Sequence, residues 1–124
     1  HHPEEIRQCA MSLRKLYADR KITCIFQPHL YTRTRDFYNE FANSLSLFDE
    51  VWLLEIYPAR EQPIPGVTSS LLADNMKPGV CKGIVSRSQV PELVKSIKDD
   101  VQVLVTLGAG DLEDYVETIT KILE

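Results

Sequence analysis

The stretch EVWLLEIY, residues 50–57, is apolar on both faces through its middle. A strand of that kind belongs to a parallel sheet covered on two sides, and few folds can supply the cover. Two more apolar runs have strand character, KITCIF at 21–26 and the strongly apolar VQVLVTL at 101–107. Segments with helical spacing alternate with them, and no internal repeat is visible. For a chain of 124 residues this predicts one α/β domain spanning 1–124, too short for two ordinary ones. Its expected architecture is Rossmann-like, an open, mainly parallel sheet with right-handed crossovers and helices on both faces.

Residues 3–20 read as a first helix. Pro3 stands at its first position, Glu4 and Glu5 lie in the first turn, and Ile6, Cys9, Ala10, Leu13, Leu16 and Tyr17 share one face. A strand at 22–27 follows. The second helix is expected from about Arg35 to Leu47, with Phe37, Phe41, Ala42 and Leu45 inward and Thr34 as N-cap. Residues 58–69, PAREQPIPGVTS, hold three prolines and a glycine and predict an ordered functional loop. Beyond it come a short helix at about 69–76, a strand at 82–86 and a helix from Pro91 to about Lys98. The fourth strand turns through GAGD, 108–111, into a last helix with Leu112, Tyr115, Val116, Ile119 and Ile122 or Leu123 inward.

In such sheets ligands gather beyond the carboxyl ends of the strands. Those ends are predicted at residues 27–33, 57–66, 86–88 and 108–111, where the polar, proline and glycine residues also collect. The first of them, FQPHLYTRTRDF at 26–37, breaks a local rule. A helix start carries partial positive charge, yet this one presents His29, Arg33 and Arg35 with the hydroxyls of Thr32 and Thr34. That pattern predicts a negative group at the junction, and arginine offers a planar fork for a carboxylate or phosphate. Arg35 fits equally well as a surface partner of Asp36 or Glu40.

Other candidates are weaker. GAGD resembles half of a dinucleotide fingerprint, but Glu113 stands where a third glycine should. Asp111 then reads as a helix cap. Tyr57 and Glu55 read as strand residues at the sheet edge, and His1 and His2, from the residues alone, as the end of an expression tag. There is no phosphate-cradling lysine loop, no Ser–His–Asp signature and no useful carboxylate pair, so no catalytic residue is assigned. Cys9, Cys24 and Cys81 form neither a CxxC pair nor a His-accompanied set, which argues against a zinc site or disulfide framework and fits a reducing cytoplasm. Cys24 reads as a buried small hydrophobe. With 44% apolar residues, 26% charged and a net charge of −4, the chain is globular and ill suited to broad nucleic-acid or membrane binding. No apolar run approaches the ~18 residues of a membrane helix. The start at His1 without methionine is read as that of a fragment or of a processed chain.

Four segments, HHPEEI, FQPHLYTRTRDFYNEFA, VWLLEIYPAREQPIPGV and VLVTLGAGD, together resemble the carboxyl-terminal domain of the Mur ligases. The likeness is to the branch that joins L-alanine to UDP-N-acetylmuramate. In that family HHP closes a longer DDYAHHP stretch, so the resemblance makes His1 and His2 native and implies a truncated acidic part. It implies an ATP-dependent cytoplasmic ligase of peptidoglycan synthesis. An amino-terminal domain would bind the UDP-sugar, a central domain ATP and Mg2+, and this third domain would help bind L-alanine and close over the centre. The implied chemistry is phosphorylation of the lactyl carboxylate, then attack of the alanine amine on the UDP-N-acetylmuramate acyl phosphate. By position in the motif, His29 and Arg33 would anchor a carboxylate or stabilise an anion, and His1 would lie near the incoming amino acid. Leu30 departs from the family, which often has Arg there; either Arg35 or a neighbouring domain would compensate, or the anion contact would be weaker here. Two other readings stay open. One is the sister ligase that attaches a murein peptide to the same sugar. The other is a stand-alone receiver-like α/β module, which calls for an acidic cluster where this chain is basic.

Overall fold

The structure, a computed structural model, describes residues 2–108. His1, residues 109–111 of the GAGD turn and the expected last helix lie outside the described residues. Nine elements follow in order: α1 (Pro3–Leu16), β1 (Ile22–Gln27), α2 (Tyr31–Leu45), β2 (Glu50–Leu54), α3 (Ser69–Asn75), β3 (Cys81–Val85), a 3-10 turn (Arg87–Gln89), α4 (Val90–Ile97) and β4 (Val103–Gly108). The four strands form one parallel sheet in the order β3-β2-β1-β4. β1 lies inside the sheet and every one of its residues is buried. The chain winds from β1 outward to β3 and then returns to the other side of β1, which puts the switch in strand order between β1 and β4.

Side chains alternate across the sheet and divide the core in two. Ile22, Cys24 and Phe26 of β1 face one layer with Val51 and Leu53, against Ile6 and Ala10 of α1, Phe41 and Leu45 of α2 and Leu72 of α3. Ile25 and Leu54 face the other, covered by Val90, Leu93 and Val94 of α4. Helices thus cover both faces, as the double-sided apolarity of 50–57 required. Asp49 ties the amino edge, accepting the Ile22 N–H at 2.8 Å and Arg14 Nη2 at 3.0 Å.

Several local expectations are corrected. α1 ends at Leu16, not at 20, and the chain leaves it with Tyr17 at φ −130°. Leu16 is therefore 73% exposed and Tyr17 is exposed too, outside the layer they were expected to join. α2 begins at Tyr31, not Arg35, and Thr34 is not its N-cap: it sits in the first turn, where its Oγ1 donates to Leu30 O at 2.9 Å. The cap position is Leu30, at φ 70° and ψ 136°, a conformation L-residues rarely adopt. Phe37 was expected inward, but a kink at φ −127°, ψ 20° breaks the helical phase there. Phe37 is 38% exposed and its ring packs on that of His2, with centroids 5.8 Å apart. The strand expected at 50–57 stops at Leu54, and Tyr57 pairs separately.

Gly108, the first residue of the GAGD turn, pairs with Gln27 across the switch point. Its φ is +148°, and a Cβ added there would lie 2.9 Å from Gln27 O. The backbones of β1 and β4 approach too closely for a side chain.

Candidate functional site

The β1–α2 junction is built by contacts that reach across to the β2–α3 loop. Tyr57 N–H donates to Pro28 O at 2.8 Å, and Leu30 N–H donates to Tyr57 O at 2.9 Å. This pairing makes an isolated parallel bridge between His29 and Tyr57, and their rings stack at 5.7 Å. Tyr57 is thus a partner of His29, not merely a residue at the sheet edge. Tyr57 O draws the Leu30 N–H out of any helical pattern, so Leu30 takes the left-handed φ and α2 starts abruptly after it. Strain of this kind costs on the order of 1–3 kcal/mol and clusters at functional sites.

The negative group expected at this helix start is present, and the chain supplies it. Glu61 Oε1 accepts the Thr32 N–H at 3.1 Å, while Oε2 accepts the Thr32 hydroxyl at 2.5 Å. Those two bonds chiefly hold the Glu61 carboxyl below its usual range, with smaller help from the Tyr31 N–H and from Arg35. Sequence reasoning missed this residue. Its one available signal was a lone carboxylate in a proline-rich loop.

The other predicted residues divide. Arg33 is half-buried in the first turn of α2, and its guanidinium makes no hydrogen bond or ion pair with another described residue. Arg35 is exposed, with Nε 2.9 Å from the Asp36 carboxylate, the surface pairing that its position allowed. That bond raises its pKa further. His2 caps α1, its Nδ1 accepting the Glu4 N–H at 3.4 Å. The structure therefore brings together His29, Arg33, Tyr57 and Glu61, with Arg35 at the rim.

Burial, and then the Arg33 guanidinium, pushes the His29 imidazole below its usual value, with Glu61 working against them. A base whose folded pKa is lowered binds its proton later than the unfolded chain does, so stability rises with pH between the two values. The contribution of His29 is whole above the ordinary value of 6.5 and is lost as pH falls through the folded one. Urea midpoints measured from pH 7.5 down to 5 are expected to decline less for His29→Asn than for wild type. Parallel curves for the two proteins would remove His29 from the account.

Beside the junction, a cleft of about 380 Å³ opens at the carboxyl ends of β1, β2 and β3. Gln27, Tyr57, Pro58, Ser86, Arg87 and Ser88 line it, whereas His29 and Arg33 do not. Among the described residues no group of three His, Cys, Asp or Glu could hold a metal ion. No described helix is long and apolar enough to cross a membrane.

The sequence model described as "Mur ligase, glutamate ligase domain" matches residues 1–112. A UDP-N-acetylmuramate–L-alanine ligase of Phocaeicola vulgatus is 56% identical over 123 residues, covering 99% of this chain and 26% of the relative. One from Parabacteroides distasonis is 50% identical over 124 residues, again covering 99% and 26%. This chain thus spans about a quarter of the length of the curated relatives it matches. The crystal structure of a murein peptide ligase from Psychrobacter arcticus 273-4 superposes with a TM-score of 0.70 over 99% of this chain and 26% of that one. At 18% identity it speaks for the fold. On the match of its sequence to that family and of its sheet to that fold, the chain belongs to the Mur ligase, glutamate ligase domain family.

Proposed function

We propose that this domain serves an ATP-dependent ligase joining L-alanine to UDP-N-acetylmuramate in peptidoglycan synthesis, and that it binds the amino acid and closes over the reaction centre. The observation that carries the reading is Arg33: a half-buried guanidinium left without a described partner, in a domain whose relatives bear that ligase's name. Its fork suits the alanine carboxylate, the one anionic group of that substrate. His29, kept neutral near pH 7 by burial and by Arg33, adds a hydrogen-bonding group without a second positive charge. Arg35 at the rim is a longer-range cation for the same anion, and His1 belongs near the incoming amino acid by its place in the motif. The alanine amine is thereby aimed at the activated lactyl carboxylate. ATP with Mg2+, when bound, supplies the activating phosphoryl group. Both would be held mainly by the central domain of the full-length protein, as the family resemblance implies. A cytoplasmic setting follows from that chemistry, since its substrates are soluble nucleotides and a free amino acid.

The test uses the full-length protein and this domain in parallel. With UDP-N-acetylmuramate, ATP and Mg2+, the full-length protein is expected to consume L-alanine in preference to murein tripeptide. The isolated domain is expected to turn over neither. A preference for the tripeptide would transfer the domain to the peptide-attaching ligases. Turnover by the isolated domain would overturn its assignment as a substrate-binding part. Its affinity for free alanine should be weak, because an open cleft buries little of a small ligand.

A further inference from the structure

The loop between β2 and α3 returns one carboxylate to the start of α2. Glu61 N–H donates to Pro58 O at 2.9 Å, closing a turn in which Ala59 takes φ 53°. That reversal aims the Glu61 side chain at Thr32, 29 residues earlier, where it accepts hydrogen bonds from both the backbone N–H and the hydroxyl. Together with the two Tyr57 backbone bonds and the His29–Tyr57 stack, it fastens the loop to the junction at two points.

We infer that Glu61 is a positioning residue for anion binding at Arg33. It rests on the reading of Arg33 given above, and two physical effects support it. An uncapped helix start offers several free N–H groups, and an arriving carboxylate would share itself among them. Glu61 already occupies that pole, so among the described residues of this turn the Arg33 guanidinium is the strong donor without a side-chain partner. Clasping Thr32 also fixes the turn that carries Arg33, one residue away, in the same frame as His29. A site held in one geometry before the ligand arrives loses less on binding.

Kinetics of the full-length protein separate this role from that of a simple helix cap. Glu61→Ala is expected to raise the KM for L-alanine about tenfold while kcat stays within about twofold. Glu61→Gln, which keeps one carbonyl oxygen for Thr32, should recover most of that rise, to within about threefold of wild type. Melting of each variant domain shows that it is folded; if Glu61→Ala is not, the Gln variant is compared with Glu61→Asp, whose shorter arm should leave KM raised. An unchanged KM with a lowered melting temperature would mean that Glu61 only caps α2, and would overturn the inference. Arg33→Lys is run beside them. If it raises KM and Glu61→Ala does not, this inference fails alone. If Arg33→Lys has no effect, the reading of the anion site fails as well.

Discussion

In the full-length protein, Arg33→Lys is expected to lower kcat/KM for L-alanine roughly ten- to hundredfold. The substitution keeps the charge and removes the planar fork, so it isolates bidentate geometry from simple attraction. A charge-assisted hydrogen bond contributes about 1.5–3 kcal/mol, which sets the size of the loss. Stability of the domain should hardly change, because a cation in the first turn of a helix opposes the helix dipole in either form. The Arg33 guanidinium also has no hydrogen bond to another described residue that could be lost. Steady-state kinetics and denaturant melting of the same variant give the paired measurement. Wild-type kinetics would sink the anion-site reading and leave FQPHLYTRT as an unusual turn.

Phe41→Ala should do the reverse, removing stability without touching the chemistry. Phe41 is 2% exposed and its ring lies 5.9 Å from that of Phe26, at a 38° tilt, where α2 meets the carboxyl end of β1. Truncating a buried phenylalanine costs about 3–5 kcal/mol, from lost burial and from the cavity left behind. Domains of this kind hold only ~5–15 kcal/mol in all. The guanidinium midpoint is therefore expected to fall by a large fraction, with the slope of the transition preserved. A loss under about 1 kcal/mol would show that the two aromatic rings do not anchor this layer.

What could be read from the sequence depended on how far each determinant reaches along the chain. The strands were legible because their apolar runs carry the signal within themselves, and the double-sided run at 50–57 was enough to place helices on both faces. His29 and Arg33 stood out because they break a helix-start rule that is local too. The rest is set by partners distant in sequence. Leu30 has no tendency toward φ 70°; the Tyr57 carbonyl imposes it, and with it the early start of α2. Thr34 has the composition of a cap and lost that place to the same event. Glu61 reaches Thr32 only because Ala59 reverses the loop, and nothing in PAREQPIPG marks which residue will turn. Phe37 has the right spacing for the core, and the kink beneath it turns it out to meet His2. Leu16 and Tyr17 kept helical spacing past the point where the chain turns away toward β1.

The strand order also governs how the domain is made. Cys24 of β1 lies between Val51 of β2 and Val105 of β4, so its neighbours leave the ribosome at very different times. While the middle of the chain is being synthesised, β1 has paired on one side only. Its other flank is then an edge of unpaired N–H and C=O groups on the most deeply buried strand of the sheet. Such an edge invites pairing with other nascent chains. Synthesis runs at about 5–20 residues per second, so the exposure lasts for seconds. A chain stopped before Val103 would keep that edge for good. Chaperone dependence is accordingly expected to be greatest for chains halted between β3 and β4, and to fall once residues 103–108 have cleared the ribosome.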